Sequence, residues 1–278
     1  MACIDLHMHS TCSDGTDTPL VLIEKIKENQ IDVFSVTDHD NAAFYTYAEG
    51  KVPTSIKLIT GIEFSCVTEA GKCHILGYHM NLENEELKRA IEDTKKLRKE
   101  KLAVRLDFLE KTYGIIFSKE EREHLFSLSA AGKPHIAQIL MRRGLAGSID
   151  EAIKKYLKAL PKGRDRIDAE KAIYAIAAAS GTPVWAHPLG GEGERHLTTE
   201  EFQKQLAVLM HQGIRGIECF YSRYTGEEIR FLLAEAKKNN LLVSGGSDYH
   251  GTVKDIPIGK LSADEAEAIT EKELTIIF

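Results

Sequence analysis

Short apolar runs separated by polar turns fill the first 80 residues of this 278-residue chain. Runs of this length bounded by turn residues predict strands. Asp17-Thr18-Pro19 predicts a helix start, because a capping side chain precedes a proline in the first turn, and apolar residues at helical spacing continue the helix to about Asn29. A helix between strands is typical of an α/β fold. The predicted strands are 2–6, 31–37 and 57–64, followed by a hairpin of 66–68 and 73–77.

From about residue 84 the pattern changes to Lys, Glu, Arg and Leu at helical spacing. No strand pattern of any weight occurs between 84 and 165, which predicts an inserted helical subdomain. Strands and helices alternate again after it, so we expect one domain from 1–82 and 166–278, with 83–165 as the insertion. The helices predicted in the insertion are 84–110 (one helix or two), 118–125, 134–142 and 149–157. Those after it are 169–179, 199–212 and 226–239, with strands at 183–186, 214–220 and 241–245.

Composition narrows the class of protein. Hydrophobic residues make up 43% and charged residues 28%, which is typical of a soluble globular chain. No apolar run approaches the roughly 18 residues needed to cross a bilayer, and no signal peptide is visible. Five cysteines without a CxxC pair favour a reducing, cytoplasmic setting. The net charge of -6 argues against a protein that coats nucleic acid by charge alone, but an anionic substrate remains compatible because bound cations reverse the local sign.

The first candidate for chemistry is a His-x-His pair on the first strand. Strand side chains alternate, so Asp5, His7 and His9 share one face. Two imidazoles in this arrangement can reach one metal ion, but the pattern is short and also fits a half-buried strand with polar residues. Asp14 follows in a Ser-Asp-Gly turn, where it could be a turn residue only.

Further histidines and carboxylates recur at the ends of predicted strands. His39 follows the predicted strand 31–37, Glu63 lies at the end of 57–64, and His187 follows 183–186. Asp248 and His250 lie shortly after the strand 241–245 and again have i, i+2 spacing. The C-terminal ends of parallel strands converge on one face of a barrel, where catalytic groups collect. The recurrence therefore predicts one site for several metal ions.

These segments together resemble the PHP (polymerase and histidinol phosphatase) family. The resemblance implies a distorted (β/α)7 TIM-like barrel that binds two or three divalent metals and hydrolyses phosphoesters. His74, with the insertion, resembles the branch of 3′,5′-nucleoside bisphosphate phosphatases and related 5′-to-3′ exoribonucleases. The motifs are Asp5-Leu6-His7-Met8-His9-Ser10, Ser13-Asp14-Gly15, Thr37-Asp38-His39-Asp40, Gly61-Ile62-Glu63, Ala186-His187-Pro188 and Gly246-Ser247-Asp248-Tyr249-His250.

The resemblance also implies a set of metal ligands. One division gives His7, His9 and Asp248 to a first metal, and His74 with His187 to a second, bridged to the first by Glu63. Asp14, His39 and His250 then hold a third. Imidazole with carboxylate suits Mn best here, with Fe or Zn as alternatives. Asp38 and Asp40 are expected to orient ligands by hydrogen bonds. The nine implied ligands are His7, His9, Asp14, His39, Glu63, His74, His187, Asp248 and His250.

The implied chemistry needs no side-chain nucleophile, since two close metals can supply a bridging hydroxide at neutral pH. The insertion is expected to form part of the substrate pocket. There Lys133 and His135 begin a predicted helix, a suitable place for an anion, although a solvated lysine fits the same pattern. The branch often has arginine at position 133, so phosphate preference is expected to differ. Arg223, after strand 214–220, is a further candidate phosphate contact.

The expected function is a metal-dependent phosphoesterase acting on a small phosphorylated substrate. The leading candidate reaction is removal of the 3′-phosphate of nucleoside 3′,5′-bisphosphates, and shortening of RNA from its 5′ end would use the same metals. A histidinol-phosphate or other small-molecule phosphatase is the alternative enzyme. A structural or regulatory PHP module is the non-enzyme alternative, although it is expected to lack some of the ligands. The oligomeric state is left open by the sequence.

Overall fold

The computed structural model describes residues 3–128, 131–161, 164–263 and 273–277. The chain divides into a larger unit, Met1–Ile91 with Ile167–Phe278, and a smaller unit, Glu92–Arg166. The sequence pattern placed the first boundary at 82/83, where the helical composition begins. The division falls later because the first helix of that stretch, α3 (Glu85–Tyr113), starts in the larger unit and continues into the smaller one.

Two sheets of mostly parallel strands form the larger unit, as expected for an α/β fold. The first is parallel throughout, in the order β1-β2-β3. The second has the order β6-β4-β5-β7-β8-β9, in which only β5 runs antiparallel to its neighbours. Neither sheet closes on itself within the described residues. The strands are β1 (Ile4–Asp5), β2 (Val33–Phe34), β3 (Lys57–Leu58), β4 (Gly61–Thr68), β5 (Gly71–Tyr78), β6 (Ile167–Asp168), β7 (Thr182–Trp185), β8 (Gly216–Tyr221) and β9 (Leu242–Gly246).

The strand prediction was right for the β4–β5 hairpin and wrong in two places. The run 57–64 is not one strand: β3 pairs with β2 in the first sheet, whereas β4 belongs to the second. The apolar pattern is continuous across this change of sheet, so it gave no sign of it. The two-residue strand β6, which pairs with β4, was not predicted because two residues are too few to establish a period.

Helix starts follow local capping chemistry. Thr18 caps α1 (Pro19–Glu28) through its hydroxyl, which accepts a hydrogen bond from the Val21 amide at 3.3 Å, and Pro19 is the first helical residue. The stretch 84–110 is part of one long helix, and the turn 153–157 is π-helical. The remaining helices are α2 (Phe44–Ala48), α4 (Lys119–Ser127), α5 (Lys133–Arg142), α6 (Ile149–Ala152), α7 (Ala169–Ala178), α8 (Thr199–His211) and α9 (Gly226–Lys238).

The smaller unit has an apolar core of its own. Leu106 and Leu109 of α3, Leu125 of α4 and Leu140 of α5 are fully buried in one cluster. Because α3, α4 and α5 bury apolar side chains against one another, the unit is stabilised by its own packing. No helix among the described residues is both long and apolar enough to cross a membrane.

Hydrogen bonds between the segments that follow the strands connect the two sheets. The amide of Leu6 donates to the Gly245 carbonyl at 3.2 Å, and the amide of Asp248 donates to the His7 carbonyl at 2.7 Å. The chain after β1 therefore runs beside the chain after β9. A parallel bridge between His39 and Glu63 similarly joins the chain after β2 to β4. These hydrogen bonds and this bridge bring together the segments that contain His7, His39 and Asp248.

Candidate metal centre

Glu63, in β4, lies at the centre of a histidine cluster and is almost fully buried. Each of its two oxygens faces imidazole nitrogens from different elements. The distances from Glu63 Oε1 are 2.9 Å to His74 Nδ1 and 3.1 Å to His187 Nε2, and those from Oε2 are 3.0 Å to His39 Nδ1, 3.2 Å to His9 Nε2 and 3.4 Å to His7 Nε2. The two carboxylate oxygens would therefore be available to two different metal ions, one on the His74 and His187 side and one on the side of the other three histidines.

A second carboxylate, Asp14, faces the opposite nitrogens of two of these rings. Its oxygens lie 3.6 Å from His9 Nδ1 and 3.8 Å from His39 Nε2. The third imidazole beside Asp14 is His250, whose Nε2 lies 3.4 Å from Asp14 Oδ1. His9 and His39 thus stand between Glu63 and Asp14, each with one nitrogen toward either carboxylate.

Asp248 directs its two oxygens to different partners. Oδ1 lies 3.3 Å from His9 Nε2, 3.4 Å from His250 Nδ1 and 3.6 Å from His7 Nε2. Oδ2 accepts hydrogen bonds from the Lys254 ammonium at 2.6 Å and from the Tyr221 hydroxyl at 3.0 Å. One oxygen is therefore directed at the histidines while the other is fixed from outside the cluster. In this way all nine residues expected as ligands come together in a single cluster.

Three buried ring nitrogens, His7 Nε2, His9 Nε2 and His39 Nδ1, lie 3.0–3.4 Å from Glu63 Oε2 but form no aligned hydrogen bond among the described residues. Buried polar atoms rarely lack an aligned partner in proteins, so these nitrogens are suited to coordinate a metal ion. Neutral imidazole and carboxylate oxygen are suitable donors for Mn, Fe or Zn. The groups close enough to share an ion are His9, Asp14, His39 and His250; His7, His9 and Glu63; and His39, Glu63 and His74.

The electrostatics agree with a centre built for cations. Burial favours the neutral form of Glu63, but His39, His74 and His7 outweigh it and hold the pKa of that carboxyl well below its usual range. Burial likewise opposes the charge of Asp248, but His7, His9 and Lys254 outweigh it and keep the pKa of that carboxyl well below normal. Both carboxylates are thus ionised at neutral pH, and they are the negative charges that a divalent ion would neutralise.

Two of the cluster residues have left-handed backbone conformations that side chains other than glycine seldom adopt. The φ angle is 26° at His187 and 57° at Asp248. Such conformations are costly and collect at functional sites, where the surrounding structure enforces them. Here they turn each side chain into the cluster directly after a strand.

Glu218 was missed by the sequence analysis, although it supports two of the cluster residues. It is fully buried in β8. Its Oε1 accepts a hydrogen bond from His7 Nδ1 at 2.9 Å, and its Oε2 accepts one from the His187 amide at 2.7 Å. Carboxylates of this kind orient metal-binding histidines and fix their tautomer. The available signal was the acidic residue in the stretch 216–220, which has no other charged residue.

Asp38 and Asp40 were expected to orient ligands by hydrogen bonds. In the structure they accept hydrogen bonds from chain segments that contain the expected ligands. Asp38 accepts hydrogen bonds from the Ser10 amide at 2.8 Å and from the hydroxyls of Ser10 and Ser13, both at 2.6 Å. It therefore fixes the loop between His9 and Asp14. Asp40 accepts a hydrogen bond from the Ser65 amide at 2.9 Å, which holds β4 next to Glu63.

The three candidate substrate contacts lie in different surroundings. Lys133 and His135 belong to the smaller unit, at the start of α5. His135 Nδ1 accepts a hydrogen bond from the Gly132 amide at 3.1 Å, so this side chain also caps its helix. Burial lowers the pKa of His135, which favours the neutral ring as acceptor. Arg223, in the larger unit, forms an ion pair with Glu192 at 2.7 Å.

A cavity of about 350 Å³ opens beside the His74 and His187 side of the cluster. Its walls include Trp185 and charged side chains of both signs: Lys72 and Arg195, and also Glu194 and Glu201, the second of which pairs with Arg195 at 2.6 Å. The volume is within the range that small-molecule ligands occupy. A substrate could therefore reach the metal centre from this side.

Curated relatives and solved structures match this chain over most of its length. A 5′-3′ exoribonuclease of Haemophilus influenzae is 31% identical over 92% of this chain and 93% of its own. A 3′,5′-nucleoside bisphosphate phosphatase of Chromobacterium violaceum is 24% identical over 90% of this chain and 88% of its own. A solved structure from Bifidobacterium adolescentis, described as a metal-dependent phosphoesterase, is 25% identical, has a TM-score of 0.73 and covers 94% of this chain and 92% of that one.

The fold, the imidazole and carboxylate cluster and these similarities define a metal-dependent hydrolase of phosphoester bonds. The PHP domain model matches residues 5–170. The chain belongs to the PHP domain family, as its motifs predicted. Because relatives that match at least 90% of this chain have different named activities, family membership does not single out one phosphoester.

Proposed function

We propose that the nine clustered residues hold two to three divalent metal ions, with Mn preferred, for hydrolysis of a nucleotide phosphoester. The observation that carries this proposal is the position of Glu63 among five histidines, three of which have a buried nitrogen without an aligned hydrogen bond among the described residues. When bound, divalent metals supply an activated water and neutralise the charge of the phosphoryl group. The protein's own residues must then place the metals and the substrate.

Placement begins with the histidine rings. Glu218 holds the His7 proton on Nδ1, so that Nε2 is a donor atom directed toward Glu63. Lys254 and Tyr221 hold one oxygen of Asp248, which leaves the other for the cluster. These contacts preorganise the ligand atoms, so little rearrangement accompanies the reaction.

We infer that the strand ends are gathered by closure of the sheets into the distorted (β/α)7 barrel expected for the family. Support comes from the bonds that join the chain after β1 to that after β9 and the chain after β2 to β4. In the proposed barrel, β1, β2, β4, β5, β7, β8 and β9 would follow one another around a ring. The carboxyl ends of the parallel strands would then open on one face, where the cluster lies.

The proposed substrate is a nucleoside 3′,5′-bisphosphate, from which the 3′-phosphate is removed. The bisphosphate phosphatase relative supports this assignment, as does the cavity beside His74 and His187. In this proposal the insertion forms part of the substrate pocket, and Lys133 holds the phosphate that is not cleaved. Lysine offers a point charge rather than the planar fork of arginine, so one phosphate oxygen is favoured over a bidentate contact.

A second candidate is removal of nucleotides from the 5′ end of RNA. It is supported by the exoribonuclease relative, which is more similar to this chain than the phosphatase is. Both reactions break a phosphoester of a ribose hydroxyl, so one metal centre serves either. Histidinol phosphate is disfavoured because it has neither a second phosphate nor a base for an insertion of this size to bind.

The test is a panel of phosphoesters hydrolysed in Mn(II): a nucleoside 3′,5′-bisphosphate, mononucleotides, a 5′-phosphorylated RNA octamer, histidinol phosphate and p-nitrophenyl phosphate. The proposal expects the highest kcat/KM for the bisphosphate or the octamer. Glu63→Gln protein serves as the control for contaminating phosphatases. Preference for histidinol phosphate, or no hydrolysis of any nucleotide by metal-loaded protein, would overturn it.

A further inference from the structure

The net charge of the chain hides a division between its two units. Between Glu92 and Arg166 the sequence has 18 Lys and Arg residues and 11 Asp and Glu residues, a formal charge of +7. The whole chain has 36 basic and 42 acidic residues, so the remainder carries -13. Charge asymmetry of this kind is typical of proteins in which one part binds a polyanion. The smaller unit is therefore the part suited to a nucleic acid.

The positive charge is densest along one stretch of α3. Residues 95–105 contain six basic residues and one acidic residue, Glu100. At helical spacing, 95, 98, 99 and 102 fall on one face, so three of the six cations share a side with Leu102. A single helix face thus combines positive charge with apolar surface.

This face borders a cavity of about 220 Å³ within the smaller unit. Lys95, Arg98 and Lys99 supply its cationic rim, and no acidic side chain lines it among the described residues. The apolar part of the lining includes Phe126 and Leu128, which are only partly buried. Ser127 adds a hydroxyl between them. The cavity is an apolar recess with cations on one side.

These features match the two parts of a nucleotide in a single strand. An exposed base is apolar on its faces and stacks on aromatic rings, while the phosphates beside it need cations. Cavities that enclose drug-sized ligands start at roughly 300 Å³, so this recess is too small for a whole nucleoside bisphosphate and suits one base. Ala131, two residues before Lys133, also lines the recess, which makes it continuous with the start of α5.

We propose that the recess lined by Lys95, Lys99 and Phe126 is a binding site for single-stranded RNA, with one base against Phe126 and the adjoining phosphates on the two lysines. The inference rests on the proposed function, because the RNA bound in this recess would be a substrate of the same phosphoesterase, in addition to the bisphosphate. Lys95 already pairs with Glu92 at 2.6 Å, an exposed contact that a phosphate can replace at little cost.

The experiment measures binding separately from hydrolysis. Fluorescence anisotropy of a 5′-labelled RNA octamer is followed with protein kept in chelator, at several salt concentrations. For the double variant Lys95→Ala/Lys99→Ala we expect weaker binding and a slope of log Kd against log[salt] smaller by about 1.4, since each phosphate contact on a single strand contributes about 0.7. Phe126→Leu keeps the apolar packing but removes the aromatic face, and should weaken binding about 5- to 100-fold without changing the slope.

Lys111→Ala is the matched control, because Lys111 is an exposed lysine of the same helix that does not line the recess. It should leave the slope within about 0.3 of the wild type, less than one phosphate contact. Equal losses in Lys111→Ala and the double variant would overturn the site, as would equal affinity for an abasic strand or a duplex, or no binding at low salt. Failure of the proposed function is distinguishable, since RNA would then bind while no nucleotide in the panel is hydrolysed.

Discussion

The Glu218 carboxylate joins two cluster residues that are far apart in the sequence: it accepts a hydrogen bond from His7 Nδ1 at 2.9 Å and another from the His187 amide at 2.7 Å. His7 and His187 follow strands that do not pair with each other. A single buried side chain therefore sets the ring of one and the backbone of the other. Its effect on metal binding can be measured without any assumption about the substrate.

Glu218→Gln should lower metal affinity about 10- to 100-fold, the range found when a carboxylate that supports a ligand histidine is replaced. In the variant, the amide nitrogen of the introduced glutamine would face His7 Nδ1 and donate a hydrogen bond to it. The ring proton would then lie on Nε2, and a protonated Nε2 cannot coordinate a metal ion. Affinity is measured by competition with a chromophoric chelator. Glu235→Gln is the control, because Glu235 is a buried glutamate whose contacts are Lys238 and Asn239, outside the site. Unchanged affinity in Glu218→Gln would remove this role.

Glu63→Gln should reduce kcat by at least about 100-fold, the scale on which loss of one electrostatic contact to the transition state acts. The neutral amide cannot balance two cations, and it offers one oxygen where the carboxylate faces histidines with both. Elemental analysis should show fewer metals per chain, while circular dichroism at 25 °C stays unchanged. An active variant with full metal content would show that Glu63 is not the bridge.

Part of the cluster could be predicted because several members, among them His9, His39 and Asp248, lie shortly after an apolar run, and the structure brings them together. Glu63 and His74 lie within β4 and β5, and their place in the ligand set came from the resemblance to the PHP family. Glu218 could not be found in this way, since it lies inside an apolar strand and its partner His7 is 211 residues away. A long-range hydrogen bond leaves no periodic trace in the sequence.

In the fold, too, features that depend on residues distant in the sequence could not be predicted. The hairpin of β4 and β5 was predictable from a turn flanked by two runs, because both strands are adjacent in sequence. The separation of β3 from β4 was not, because it depends on which distant strand each one pairs with. The positive charge of the smaller unit was within reach of the sequence, because the predicted insertion 83–165 already has 19 basic and 14 acidic residues.

Metal removal should lower the melting temperature of the larger unit. A ligand at 100 times its Kd stabilises the folded state by about 2.7 kcal/mol, which for a unit of this size corresponds to about 5–10 °C. Protein prepared in Mn(II) is compared with the same protein after EDTA, by calorimetry. Re-addition of Mn(II) should restore the melting temperature and two to three metals per chain. A well-folded preparation that holds only traces of metal after incubation with Mn(II) would contradict the metal hypothesis.

Lys133→Ala should separate substrates that carry a second phosphate from those that do not. If Lys133 holds the phosphate that is not cleaved, its loss removes a charged hydrogen bond worth about 1.5–3 kcal/mol and lowers kcat/KM for a nucleoside 3′,5′-bisphosphate by about 10- to 100-fold. Binding energy at a remote group positions the reacting group, so kcat should fall as well as KM rise.

Hydrolysis of p-nitrophenyl phosphate, which has no second phosphate, should change by much less. Lys119→Ala is the matched control, because Lys119 is the first residue of α4 as Lys133 is of α5. Equal losses on both substrates would indicate that Lys133 serves folding or the metal site. No loss on either would leave it a solvated lysine at a helix start, and the bisphosphate assignment would then rest on the phosphatase relative and the cavity beside His187 alone.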